Sequence, residues 1–232
     1  MELDGRRVLI AGGTSGIGLA AAHYCSKMGA SVFILGRNKN KLASAISSLD
    51  RCSGQVCDVR SHSECVSSVS SARHFLGGID CLIFSAGVGK VAPIDELSFE
   101  DYREMIEVNL IGAFNLSKAI IPELFKSNRA DIILLGSRAG RYAFKGGTGY
   151  CASKFGMQGL AESLYLDVES NNIRVSLVAP GTVDTGFAGV AGQSWHLQPE
   201  DVAQVIVDCL TSHSRANLNW IELRPSKRNF NL

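Results

Sequence analysis

The sequence predicts an α/β fold: one doubly wound parallel sheet of about seven strands with helices on both faces. Three observations carry that expectation. Short apolar runs alternate with helical stretches from one end of the chain to the other, the pattern of parallel strands joined by right-handed crossovers. The first such run leads into a glycine cluster and then a helix start. The 232 residues show no composition break and no repeat, so they fit a single domain over 1–232 with a sizeable core.

Val8-Leu9-Ile10-Ala11 is short and unbroken, as a strand buried on both faces should be. Gly12-Gly13-Thr14-Ser15-Gly16-Ile17-Gly18 follows, and Leu19–Ala22 opens a helix that ends near Gly29. A glycine-rich turn between strand and helix aims backbone N–H groups and the positive end of the helix dipole at a pyrophosphate. Thr14, Ser15 and Ile17 complete this candidate cofactor loop, although its Gly-x-x-x-Gly-x-Gly spacing differs from the common Gly-x-Gly-x-x-Gly.

Ser31–Leu35 is the second strand, and its end is where an acidic residue would accept from an NAD ribose. Gly36-Arg37 stands there instead. A small residue followed by a guanidinium makes room for a 2′-phosphate and neutralises it, which favours NADP(H) and leaves NAD(H) as the alternative. The competing reading of Arg37 is a solvated loop charge. A helix over 39–49 leads to a third strand at Gln55–Cys57, followed by Asp58-Val59, where a carboxylate can accept from an adenine amino group.

After a helix over 61–76, Ile79–Phe84 is the fourth strand and breaks into Ser85-Ala86-Gly87, small residues that let a flat cofactor ring approach the backbone. The stretch 98–125 has helical periodicity with an interruption expected at Pro122, and Asn109 sits among apolar neighbours within it. A buried mid-helix amide needs a partner, so it marks either a local kink or a polar relay. Ile132–Leu135 is the fifth strand, ending at Gly136-Ser137; Ile173–Ala179 is the sixth, followed by Pro180-Gly181-Thr182-Val183-Asp184-Thr185. A helix over 199–211 and a strand over 218–223 complete a Rossmann-type order.

Tyr150 and Lys154 lie four residues apart at the start of a helix expected to run to about Ser170, and that spacing puts them on one face. An ammonium beside a phenol favours the phenolate and lowers its ordinary value near pH ~10, which suits general acid–base work. Alone, the pair also reads as an ordinary amphipathic helix.

Lys plus Arg (23) nearly balance Asp plus Glu (22), so charge gives no reason to expect nucleic acid or anionic membrane as a partner. Seven cysteines with no Cys-x-x-Cys, and five histidines without ligand spacing beside them, point to reduced thiols and no metal site. The six-residue apolar stretch ended by Gly12 is too short for a signal core or a membrane span, so the expected location is cytoplasmic.

Together, Ala11-Gly12-x-x-x-Gly16-Ile17-Gly18, Ser85-Ala86-Gly87, Asn109, Ser137, Tyr150-x-x-x-Lys154 and Pro180-Gly181-x-Val183-x-Thr185 resemble the short-chain dehydrogenase/reductase family, single-domain NADP(H)-preferring branch. The resemblance implies a carbonyl reductase or alcohol dehydrogenase that interconverts a ketone or aldehyde and its alcohol by hydride transfer. It places Gly12, Gly16 and Gly18 along the pyrophosphate and adenosine side, Asp58 and Val59 at the adenine, and Ala86 and Gly87 at the central part of the cofactor. Tyr150 becomes the proton donor and Ser137 a second donor to the substrate oxygen. Lys154 holds the nicotinamide ribose, Asn109 orders a relay water, and Pro180, Val183 and Thr185 position the nicotinamide. A homo-oligomer, dimer or tetramer and commonly a homotetramer, is also implied.

Three departures bear on specificity. Phe84-Ser85 stand where the family often has two asparagines; the last strand reads Trp220-Ile221-Glu222-Leu223-Arg224-Pro225, similar to members acting on small hydroxy acids; and Thr185–Gln198 is short for a substrate lid. Arg138 and Arg141 flank the serine loop and meet either solvent or an anionic group such as a carboxylate or phosphopantetheine. Phe144, Phe187 and Trp195 are either pocket lining or core plugs, and Cys151 reads as packing. Two other readings remain at this point: a 3-oxoacyl carrier-protein reductase, and an NADP(H)-binding sensor or scaffold without turnover.

Overall fold

The computed structural model describes residues 2–189 and 192–227. Seven parallel strands form one sheet in the order β3-β2-β1-β4-β5-β6-β7. They are β1 (Arg7–Ala11), β2 (Ser31–Gly36), β3 (Cys52–Val56), β4 (Cys81–Phe84), β5 (Ala130–Leu135), β6 (Ile173–Pro180) and β7 (Trp220–Leu223). The helices are α1 (Gly16–Lys27), α2 (Lys39–Ser47), α3 (His62–Leu76), α4 (Phe99–Ile106), α5 (Gly112–Leu124), α6 (Thr148–Val168) and α7 (Pro199–Thr211). This is the doubly wound α/β fold that the alternating pattern predicts.

Side chains alternate across the strands, so each central strand feeds two cores. Leu9, Leu82 and Ile132 face the side covered by α3, α5 and α6, where Val69, Leu116 and Met157 meet them. Val8, Ile10, Ile83 and Ile133 face α1, α2 and α7, meeting Ala21, Leu42 and Ile206. Covering on both faces is why these strands are unbroken apolar runs.

The edges depart from expectation. β3 begins at Cys52 rather than Gln55, because pairing with β2 (Val32 to Cys52 through Gly36 to Val56) recruits Ser53 and Gly54, which carry no apolar signal. β7 starts two residues late, at Trp220. The interruption expected at Pro122 falls elsewhere: α5 runs through Pro122 to Leu124, and the break is a π turn at Glu107–Ile111 that carries Asn109.

The amino ends of the strands are tied by charge. Arg6 and Arg174 both pair with buried Asp131, and Arg7 holds Asp80. Arg129 caps the end of α7 through the carbonyl oxygens of Leu210 and Ser212, at 2.5 and 3.0 Å. Among the described residues no helix is long and apolar enough to cross a membrane, and no group of three or more His, Cys, Asp or Glu is placed to hold a metal.

Candidate active site

The strand order reverses between β1 and β4, and ligands of open α/β sheets bind at the carboxyl ends of strands where that happens. A cavity of about 860 Å³ opens there. Gly12 turns β1 into the loop with φ +77°, and a Cβ at that position would stand 2.6 Å from Ala86 N; only glycine lets the two strand ends approach so closely. Ser15 is the N-cap of α1, yet its side chain caps nothing and no acidic residue occupies the first turn. The leading N–H groups of α1 are therefore open to an anion.

Of the glycine loop, Gly12, Thr14, Ser15, Gly16 and Ile17 line the cavity. Gly18 does not: it seats α1 against the Gly12 carbonyl. At the end of β2 the lining passes through Gly36, Arg37, Asn38 and Lys41. Arg37 reaches Glu104 at 3.4 Å with nearly half of its side chain exposed. Lys41 belongs to none of the sequence motifs; its signal is a further cation one helical turn after Arg37, in a turn held by Asn38 Oδ1 accepting from Lys41 N at 2.9 Å.

Val59 and Cys57 line the far wall, and Asp58 is not part of it. Arg60 chelates Asp58 through Nε and one terminal nitrogen, and that bond holds the carboxyl below its ordinary range. Asn115 on α5 donates to the carbonyl oxygens of Val59 and Arg60, both at 3.1 Å, and so fixes this wall. Ser85, Ala86 and Gly87 form the floor, and Pro180, Gly181, Val183 and Thr185 the opposite lip. Gly181 N donates to Leu223 O at 2.8 Å, which anchors that lip to β7.

Ser137, Tyr150 and Lys154 converge in the middle of the cleft. The Arg138–Gly140 turn fits against α6 so closely that a Cβ on Gly140 would stand 2.6 Å from Lys154 O, which is how a strand end and a helix thirteen residues later are brought to one point. Lys154 is buried and donates to Leu135 O at 2.8 Å; burial brings its ammonium down to about 8. Its Nζ lies 5.8 Å from the centre of the Tyr150 ring.

The expected depression of the phenol is not found. Burial raises Tyr150 above its ordinary value, with the Ser137 hydroxyl acting in the opposite direction. The cause is physical: the helix spacing that joins the pair also removes both from water, and the ammonium is aimed at Leu135 O.

Asn109 is fully buried. Its Oδ1 accepts from Val88 N at 2.8 Å, while Nδ2 donates to Val88 O and to Ser153 Oγ, each at 2.9 Å. Both amide hydrogens are thereby committed, and Asn109 does not line the cavity. Ser153 Oγ in turn donates to Tyr150 O at 2.8 Å, so the π turn is tied to the first turn of α6.

Phe144 and Phe187 line the cleft, and Phe187 stacks 5.6 Å from Tyr150. Trp195 instead packs edge-on against His196. In the Thr185–Gln198 segment, Val190 and Ala191 lie outside the described residues. Arg138 Nε donates to Glu222 at 2.9 Å, and Arg141 lies 5.9 Å from the Tyr142 ring centre. Cys151 is buried.

A family model described as short chain dehydrogenase matches residues 6–194. A 3-dehydrosphinganine reductase of Arabidopsis thaliana is 38% identical over 219 residues, covering 88% of this chain and 66% of the relative; the chain thus spans just under two thirds of that protein. An uncharacterized oxidoreductase of Staphylococcus aureus is 29% identical over 227 residues, covering 96% of this chain and 98% of its own. Among solved structures, a serine dehydrogenase complexed with NADP+ superposes with a TM-score of 0.90 at 27% identity, over 97% of this chain and 96% of the other. An alcohol dehydrogenase from the archaeon Thermococcus sibiricus, complexed with 5-hydroxy-NADP, shares the fold with a TM-score of 0.90 at 23% identity, over 98% and 100%.

Proposed function

Because the chain belongs to the short-chain dehydrogenase/reductase family, we propose that it is an NADP(H)-dependent oxidoreductase that interconverts a ketone or aldehyde and its alcohol, acting as a reductase in the cell. The observation that carries this reading is the meeting of Ser137, Tyr150 and Lys154 at the strand-order reversal. A binding module has no need of a proton donor, a second donor and an ammonium at one point.

The cleft suits a dinucleotide phosphate. The uncapped α1 start offers N–H groups to the pyrophosphate, Gly12 keeps the backbone low, and Arg37 and Lys41 stand where a 2′-phosphate would need countercharge. The NADP+ carried by the serine dehydrogenase neighbour supports the same choice. When bound, the cofactor supplies the hydride. The chain's own residues do the rest.

Tyr150 Oη gives its proton to the carbonyl oxygen as negative charge develops there, and Ser137 Oγ donates a second hydrogen bond to that oxygen. Burial keeps the phenol protonated at neutral pH, the form that reduction needs. Lys154 remains mostly an ammonium at pH 7, and the hydrogens it does not give to Leu135 O would be free to hold the cofactor's ribose. Asn109 acts through Ser153 and the Tyr150 carbonyl by holding the turn in place. Phe187 shields the phenol from solvent.

The same reading takes the chain as one cytoplasmic domain over 1–232 and as a homo-oligomer. Exposed Phe99, Ile111 and Phe114 on and near α4 and α5, with Phe155 and Leu166 on α6, support the latter. Light scattering at micromolar concentration is expected to give a dimer or tetramer, and a monomer would contradict it. The test of function is titration with NADPH and NADH, followed by a panel of ketones, aldehydes and acyl thioesters with absorbance read at the reduced nicotinamide band. Tight NADPH binding and oxidation by one class is expected, with turnover lost in Tyr150→Phe. Full turnover in Tyr150→Phe would sink the mechanism, and NADPH binding without oxidation by any member would favour a sensor.

A further inference from the structure

We propose that the substrate carries an anionic group, a carboxylate or a phosphate, which Lys90 and Arg138 receive at the mouth of the cleft. The inference rests on the oxidoreductase reading and specifies its substrate class. Its starting point is an imbalance. The chain has 22 acidic residues against 23 Lys and Arg, yet among the described residues no aspartate or glutamate lines the cleft, whereas Arg37, Lys41, Lys90, Arg138 and Lys154 all do.

Three of these cations already have work. Arg37 and Lys41 stand at the β2 end, in reach of a 2′-phosphate, and Lys154 bonds Leu135 O between Ser137 and Tyr150. Lys90 and Arg138 remain. Arg138 commits only Nε, to Glu222, and its two terminal nitrogens have no partner among the described residues. Lys90 lines the same cleft, and its ammonium likewise forms no ion pair among the described residues. Arg138 lines the same cavity as Ser137 and Tyr150, and its side chain is held there by Glu222 and the Tyr142 ring.

The surroundings add to the same sign. The guanidinium carbons of Arg138, Arg141 and Arg224 lie 5.2, 5.9 and 5.7 Å from the centre of the Tyr142 ring. Among the described residues Glu222 is the one carboxylate bonded to this group, paired with both Arg138 and Arg224. Three cations against one anion leave a surplus of two positive charges at the rim, which draws anions in and repels ammonium groups. A planar guanidinium with two open nitrogens suits a two-oxygen acceptor. Val91, Phe144 and Phe187 line the wall here and are partly exposed, so the carbon skeleton between carbonyl and anion is expected to be apolar.

The test uses matched probes on the full chain with saturating NADP+, a pairing with ketones that cannot turn over. 4-Oxopentanoate is titrated against its methyl ester, and hydroxyacetone phosphate against hydroxyacetone, with binding followed by ligand-detected NMR. At least one charged probe is expected to bind ten-fold or more tighter than its neutral partner, and the pair with the larger ratio names the anion. The ratio is expected to fall toward one in Lys90→Ala and in Arg138→Gln; because it compares two ligands on one protein, a partly misfolded variant does not mimic the result. Ratios near one in the unaltered chain, or a ratio that survives in both variants, would overturn the proposal. A separate NADPH oxidation assay with the same four compounds judges the oxidoreductase reading, so failure of turnover and failure of the anion subsite are read independently.

Discussion

Replacing Lys154 by Met should stabilise the protein while destroying its activity. The side chain is buried, and burial brings its ammonium from 10.5 to about 8. The unfolded chain therefore binds a proton that the folded chain resists, and the cost is fully present below pH 8 and relieved as pH rises from there to 10.5. That difference corresponds to roughly 3 kcal/mol at neutral pH. Methionine fills a similar volume without charge but gives up the bond to Leu135 O, worth about 1 kcal/mol. The net expectation is a gain of about 2 kcal/mol at pH 7, or a Tm higher by roughly 4–8 °C for a chain of this size. At pH 10 the gain should nearly vanish. Thermal and urea unfolding of the cofactor-free protein and of Lys154→Met, at both pH values with thiols kept reduced, measure it directly. A variant less stable than the parent at pH 7, or a difference that does not change with pH, would refute the reasoning. Turnover should fall by at least about 100-fold, the range expected on losing a positioned charge at the reacting centre.

Three further substitutions probe separate parts of the site. Gly12→Ala forces a side chain into φ +77° and against Ala86 N; a loss of about 1–3 kcal/mol in urea melts is expected, together with weaker NADPH binding by fluorescence titration, and unchanged affinity would contradict the close-approach argument. Asn109→Leu leaves the Val88 N–H and C=O without their partner, so unfolding free energy should drop by about 1–3 kcal/mol. Its kcat should fall more than its KM rises, because the turn carrying Tyr150 loosens; a pure KM effect would count against that positioning role. Arg37→Ala should raise the KM for NADPH about ten-fold while leaving that for NADH nearly unchanged, the effect of one charge-assisted contact, and equal changes for both would mean that Arg37 serves only Glu104.

How much of this was legible in the chain depends on which force sets each element. Val8–Ala11 and Ile132–Leu134 are buried on both faces, so burial itself writes the signal. β3 is an edge strand whose Ser53, Gly54 and Gln55 are held by backbone pairing to β2, and pairing leaves no mark on composition. The π turn at Glu107–Ile111 is a change of hydrogen-bond register within a helical pattern, which periodicity absorbs; only the odd placement of Asn109 pointed to it. Ser137, Tyr150 and Lys154 stand out in the sequence through the motif order they share with the family, and the fold sets all three on the wall of one cleft. The partner of Asp58 carries no such mark: Arg60, two residues away, looks like any loop cation until the fold shows it bonded to that carboxylate. Lys41 is the reverse case: it reads as a solvated helix charge until the fold sets it on the wall of the cleft.

The ion pairs at the amino ends of the strands carry a consequence for how this protein can change. Arg6, Arg174 and Asp131, with Arg7 and Asp80, brace one end of the sheet, while every reactive group described above lies at the other. Sites that far apart, without shared partners, respond to substitution nearly independently. Mutations that retune which molecules enter the cleft can therefore accumulate without eroding the brace, and losses in robustness incurred at the mouth can be made good at the opposite pole. The scaffold separates the freedom to diversify from the obligation to stay folded, and does so along the length of each strand.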